Sequence, residues 1–241
     1  MTDQLSLRLE PDLPNLPSDL RPMFARPASA PFDSSEHLFE PSWGGERALA
    51  FVEPADRGPL RLLDTDGRDL AGLFPEIADL PTRVLARSAV VDGELVVVDG
   101  AGRPDAPALR ERLTGRAGPP VAYLAFDLLV LDGRPLLRLP LERRRRLLRD
   151  VLTSGDSVVA VPAIAGAGLA LHAAIQAQGI AAMMARVRTS PYLAGVRSRL
   201  WLRIEAGTGP PAADVPRSAV AAAPALPVLA LIRRLPFDEE A

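Results

Sequence analysis

All 28 basic side chains of this sequence are arginines, and lysine does not occur in it. Mechanisms that need a side-chain amine are thereby excluded: Schiff bases, lysine contacts to phosphate of the P-loop kind and lysyl adducts. Arginine is no substitute, because its guanidinium stays protonated and offers no lone pair. Cysteine is also missing and histidine is limited to His37 and His172, so neither a disulfide scaffold nor a zinc centre of usual spacing is expected. Two groups of arginines remain. Arg143 to Arg146 form a continuous run that reads as the solvated outer side of a helix. Arg186, Arg188, Arg197, Arg199 and Arg203 instead flank strand-like segments and a Ser-Pro-Tyr turn, a placement suited to a basic face. One carboxylate also stands out, since Glu94 opens an apolar strand where a charge needs a partner.

The elements that must position these groups follow from patterning. A length of 241 residues with 48% apolar and 24% charged composition leaves room for one large domain with extensions. Short apolar runs at Leu49 to Val52, Leu60 to Leu63, Ala89 to Val98 and Val121 to Leu131 read as strands. Asp-Gly pairs beginning at Asp66, Asp92, Asp99 and Asp132 read as tight turns between them. Helices are expected over Pro140 to Leu152, with Leu141, Leu148 and Leu152 on one face, and over Leu169 to Gln178, ending at Gly179. The class is α+β with a mainly antiparallel sheet.

The proline-rich first thirty residues read as irregular, with residues 1–19 outside the domain proper, 20–206 forming it, and 207–241 a Pro/Ala-rich linker and tail in which Val228 to Ile232 form at most a lone strand. Neither a signal peptide nor a membrane span is expected, and a cytoplasmic location follows as an expectation. The formal charge of −2 predicts no general attraction to nucleic acid, but the balance is uneven. Residues 1–133 sum to about −9 and residues 134–203 to about +9.

The segment Leu38 to Phe51, LFEPSWGGERALAF, resembles the adenylation motif of ATP-dependent DNA ligases, in which a Lys-x-Asp-Gly-x-Arg hexad follows a Glu-Pro pair. In order there follow DTDGRDLAGLFPEI from Asp64, VDGELVVVDGAGRPD from Val91, YLAFDLLVLDG from Tyr123, QGIAAMMARVRTSPY from Gln178 and RSRLWLRIE from Arg197. Each is similar to a successive motif of the bacterial repair ligases' nucleotidyltransferase domain. The resemblance implies the covalent nucleotidyltransferase fold, two antiparallel sheets with flanking helices around an ATP cleft. About 35 residues follow the last motif, too few for the five strands of the oligonucleotide-binding (OB-fold) domain that accompanies this one in the family. No OB-fold domain is expected in this sequence.

The same resemblance implies that the chemistry has been dismantled. The nucleophilic lysine position holds Ser42 and the aspartate two residues on is Gly44. Thr65 replaces an arginine, Gln178 a metal-binding glutamate and Met183 a lysine, while Arg203 and Glu205 stand where two lysines meet the phosphates. Ser42 has no evident base, and His37 lies on the opposite face of any continuous strand. The resemblance leaves a nucleotide-binding remnant: Glu40 to read adenine, Arg47 to meet ribose and phosphates, Glu94 as a metal-associated carboxylate and Phe126 to stack on the base. Phe126 would also be buried by packing alone.

The expected function is a catalytically degenerate ligase homologue with residual noncovalent binding of an adenine nucleotide or DNA. On this reading no cofactor is required, and ATP or AMP with Mg²⁺ remains the implied ligand. DNA contact, weak and nonspecific, is assigned to Arg186, Arg188, Arg197 and Arg199. Two alternatives are an interaction module partnering an active DNA repair protein, and residual nucleotidyltransferase activity.

Overall fold

A computed structural model describes residues 13–99 and 103–207. Strands β1 (Phe24–Ala28), β2 (Ser34–Ser42), β3 (Glu46–Val52) and β4 (Arg61–Asp64) precede a single helical turn, α1 (Leu80–Arg83). After β5 (Ala89–Val96), α2 (Ala106–Leu113), β6 (Ala122–Leu131) and β7 (Arg134–Pro135) the chain enters α3 (Leu141–Val151). It closes with β8 (Val158–Ala160), β9 (Ile164–Gly166), α4 (Gly168–Ala177), β10 (Ala182–Val187) and β11 (Arg197–Glu205). Among the described residues, no helix is long and apolar enough to cross a membrane.

The strands make two sheets, one in the order β1-β11-β10-β2-β9 and the other in the order β4-β3-β5-β6-β7 with β8 added beside β6. Pairing is antiparallel except for β1 with β11 and β6 with β8. This is the expected α+β architecture of two sheets with flanking helices. It departs from a purely antiparallel one in those two pairs, each joining strands far apart in sequence, which no local pattern announces. The β1 pairing also corrects the reading of the first thirty residues as irregular. Pro22 and Pro27 obscure a strand that sits at a sheet edge, where proline is tolerated, and Leu16 and Met23 are buried. Val228 to Ile232, and Gly100 of one Asp-Gly pair, lie outside the described residues.

The Asp132–Gly133 pair makes the β6–β7 turn, both residues at positive φ. Asp92 and Gly93 instead lie inside β5, where the pairing with β6 shifts register. The glycine serves close packing: a Cβ there would stand 2.4 Å from Cζ of Tyr123. Helix α2, which the apolar pattern did not mark, is capped by Asp105, whose side chain accepts from the Ala108 N–H at 2.9 Å.

Helix α3 corrects the reading of its arginines. Its buried stripe is Leu141, Arg144, Arg145 and Leu148, the spacing of an inward face, so Arg143 and Arg146 are exposed while the two between them enter the core. Arg144 donates Nε and Nη2 to Asp127 of β6, both at 2.8 Å, and neither side chain is exposed. Its Nη1 donates to the Leu139 and Ser190 carbonyls. Removing one member of such a pair strands the other in a dry core, whereas replacing both with apolar groups removes the debt as well. Asp127→Ala is therefore expected to lower unfolding free energy in urea by about 3–5 kcal/mol, and Asp127→Leu with Arg144→Met by clearly less. A double variant as unstable as the single would show that the pair itself, beyond its neutralisation, holds the helix to the sheet.

Candidate functional site

On the inner face of the first sheet, alternation sets one row of side chains toward the second sheet. Met184 of β10 lies directly across from Glu40 of β2 and Arg203 of β11, and Arg186 lies across from Trp201. Arg186 is thus a diagonal neighbour of Glu40, within reach of a long side chain. Facing this row, the second sheet contributes Arg47 of β3, Glu94 of β5 and Phe126 of β6, and the two sets enclose a cavity of about 300 Å³. Ser42, Gly44 and Arg197 also line it, with Phe24 and Ala25 of β1. Nine of the residues singled out in the sequence therefore meet at one place: Glu40, Ser42, Gly44, Arg47, Glu94, Phe126, Arg186, Arg197 and Arg203.

Each carboxylate here is already engaged. Glu40, 2% exposed, carries Arg145 Nη1 on one oxygen and Arg186 Nη1 on the other. Arg145 continues to the carbonyls of Phe126 at 3.0 Å and Val161 at 2.5 Å. Glu94 accepts backbone N–H groups from Gly45 and, at 3.4 Å, from Trp43, which pins the turn after Ser42. Burial pushes the Glu94 carboxyl up, while those two amides and the nearby Arg47 and Arg186 oppose the rise. Gly44 takes a left-handed φ of 73° in this turn, a conformation that favours glycine over the implied aspartate.

Arg47 donates Nε and Nη2 to Asp92 at 2.5 and 2.6 Å. Burial works against its charge, but Asp92, with Tyr192 and Glu94 adding to it, outweighs burial and holds the guanidinium protonated. Asp92 in turn accepts from the Tyr192 hydroxyl at 2.6 Å. For Arg186 burial prevails: with Glu40 the main force raising its affinity for the proton and Arg47 and Arg145 lowering it, the shift is downward.

Several sequence-based assignments do not reach the cavity. Met183 is wholly buried on the other face of β10, packed with Phe39, Leu171 and Ile175. A cation there would point into the apolar core, and the one that β10 brings to the cavity is Arg186. Gln178 caps the end of α4, and Thr65 lies half-buried in the turn after β4; neither lines the cavity. Glu205 is exposed and ion-pairs with Arg203.

The assignment of DNA contact to Arg186 is corrected as well, because this side chain is 2% exposed and sits between aromatic rings and Glu40. Arg188 is 40% exposed and pairs with Glu142. Arg197 and Arg199 are exposed, with Arg197 Nη1 on the Ala25 carbonyl at 2.7 Å. Asp92, Arg145 and Trp201 were not assigned to the site; the Arg145 role was signalled by its place between Leu141 and Leu148 on the helical stripe. His37 faces away from the cavity, its Nδ1 2.9 Å from Ser34 Oγ and its ring against Phe32.

The implied ligand fits these residues in part. A phosphate-like group would meet guanidinium donors. A divalent cation would not find free carboxylate oxygens, since Glu40 faces two arginines and Glu94 two amides; among the described residues no group of three or more His, Cys, Asp or Glu side chains is placed to hold a metal.

Comparison with known proteins leads to the same fold. The profile of the ATP dependent DNA ligase domain matches residues 22–205. The multifunctional non-homologous end joining DNA repair protein LigD of Mycobacterium tuberculosis is 35% identical over 186 residues, which make up 77% of this chain but 24% of that protein. The SPbeta prophage-derived DNA ligase-like protein LigB of Bacillus subtilis is 25% identical over 184 residues, 76% of this chain and 66% of that one. The solved ligase domain of M. tuberculosis LigD superimposes with a TM-score of 0.67 at 30% identity, covering 78% of this chain and 60% of that one. The chain thus spans about a quarter of the length of the LigD proteins it matches. Since the matched stretch contains every strand of both sheets and the whole cavity, the chain belongs to the ATP-dependent DNA ligase family through an adenylation domain.

Proposed function

We propose that this adenylation domain is catalytically degenerate and acts through noncovalent binding in a DNA repair setting. The observation that carries the proposal is Ser42 lining the cavity in a chain without lysine. A serine hydroxyl attacks phosphorus only when a base takes its proton. The carboxylates around Ser42 are engaged by arginines or amides, and His37 lies on the other side of the sheet. The Arg203–Glu205 pair supports the same reading, because Glu205 offsets a cation where phosphate charge would need one. Arginines remain well placed for noncovalent electrostatic contact. The DNA repair setting comes from the LigD relatives, and DNA contact is assigned to Arg188, Arg197 and Arg199 at the surface.

Incubation with ATP and Mg²⁺ or Mn²⁺ is expected to leave the intact mass unchanged; a stable gain of one AMP on any side chain would overturn the proposal. Ser42→Lys alone is expected not to seal nicks, since Gly44, Arg186 and the Arg203–Glu205 pair stay as they are and groups that act as a unit are not repaired singly. Nick sealing by that variant would mean that only the nucleophile had been lost.

On duplex DNA, fluorescence anisotropy across a salt series should show weak binding whose log-log slope is about −0.9 per phosphate contacted. Charge reversal at Arg197 and Arg199 is expected to flatten the slope, and reversal at the exposed Arg143 and Arg146 is not. No binding at low salt would shift the assignment from DNA to a protein partner.

A further inference from the structure

The aromatic surface of the cavity is already occupied from within. The Arg186 guanidinium carbon lies 4.1 Å from the centroid of Phe126 and 4.2 Å from that of Trp201, so the cation fills the slot beside both rings. Arg47 stands 4.6 Å from the same Phe126 ring. A planar ring entering the cavity to stack on Phe126 would have to expel Arg186, break its pair with Glu40 and leave a buried guanidinium without compensation. The slot is therefore closed to aromatic ligands by a side chain of the protein itself.

The polar atoms left over are donors. Arg186 contacts Glu40 through Nη1, yet neither Nε nor Nη1 has an aligned hydrogen-bond acceptor. The acceptors in the wall are spent on Arg145, Arg186 and the Trp43 and Gly45 amides. Four arginines line the cavity against two glutamates, with Arg47 also held by Asp92 and Arg203 by the exposed Glu205. Buried donors without acceptors favour a ligand that brings acceptors and negative charge.

Within the reading of a noncovalent binder, we infer that the cavity takes a compact oxyanion of the phosphate class without an aromatic ring, with Arg186 both contacting the anion and excluding rings from Phe126. Arg186 is thus a specificity-determining residue, and the better retained part of the implied nucleotide site is its anion-binding part. The expectation of a kept adenine pocket is reversed: Glu40 and Phe126 are present, but the arginine covers both.

The probes are inorganic tripolyphosphate, ATP and adenosine, compared by calorimetry and by the fluorescence of Trp43 and Trp201 at one low ionic strength. Tripolyphosphate is expected to bind the wild-type chain, ATP to bind no more than about threefold more tightly and adenosine not to register. Arg186→Met removes the charge and leaves a flexible apolar side chain that can leave the slot without breaking an ion pair, while Glu40 keeps Arg145. In that variant tripolyphosphate should weaken about tenfold or more through loss of a charge-assisted contact, and the ratio of ATP to tripolyphosphate affinity should rise by about tenfold. ATP binding the wild type ten times more tightly than tripolyphosphate, measurable adenosine binding, or no tripolyphosphate binding would each overturn the inference. If circular dichroism finds the variant unfolded, the wild-type series still decides. The mass measurement tests the degenerate-enzyme reading separately: an AMP adduct would end that reading, whereas ring-dependent binding without an adduct would end only this one.

Discussion

Glu40 lines the cavity with an arginine on each carboxylate oxygen, one from helix α3 and one from strand β10. Most of the architecture converges on this group. Its own strand belongs to the first sheet; Arg145 also binds the backbone of β6 in the second sheet and of Val161 beyond β8; and Arg186 packs on Phe126 of that second sheet. A carboxylate so deeply buried has to be neutralised. Here the neutralisation joins both sheets and a helix, so charge compensation and tertiary assembly are one arrangement.

The same rule repeats nearby. Asp92 receives Arg47 and the Tyr192 hydroxyl, and Asp127 receives Arg144, each with no exposure of the aspartate. The planar fork of arginine suits these sites, since it serves both oxygens of one carboxylate and still donates to carbonyls. An ammonium offers a point charge with different geometry. The arginines that composition alone would place at the surface are thus partly internal, and the cavity wall becomes rich in guanidinium groups because the buried carboxylates demand them.

The relationship to the LigD ligase domain fixes fold and family. Ser42 lines the pocket, and Gly44 holds the adjoining turn at a left-handed φ that glycine adopts most readily. The scaffold brings strands of both sheets around one pocket. Arg186 gives that pocket a recognition chemistry different from one led by a stacked base.

Sequence alone determined the class, the main strands and the motif order, because alternation in the runs around Leu49, Ala89 and Val121 and the capped ends of α3 and α4 are local signals. It also determined that no lysine chemistry operates within this sequence, which requires only composition. The spacing of Leu141, Arg144, Arg145 and Leu148 held the burial of two arginines in plain view, but a run of like charges normally marks a solvated face and masked it. Strand β1 was hidden for another reason: it pairs in parallel with a strand more than 160 residues away, a contact without local pattern. The register of β10 against β2 and β11 was likewise open until the chain folded. A shift of one residue would have turned Met183 to the cavity and Arg186 to the core. Only the tertiary structure, by setting that register and supplying Glu40 as a partner, decided which residue of the strand faces the cavity.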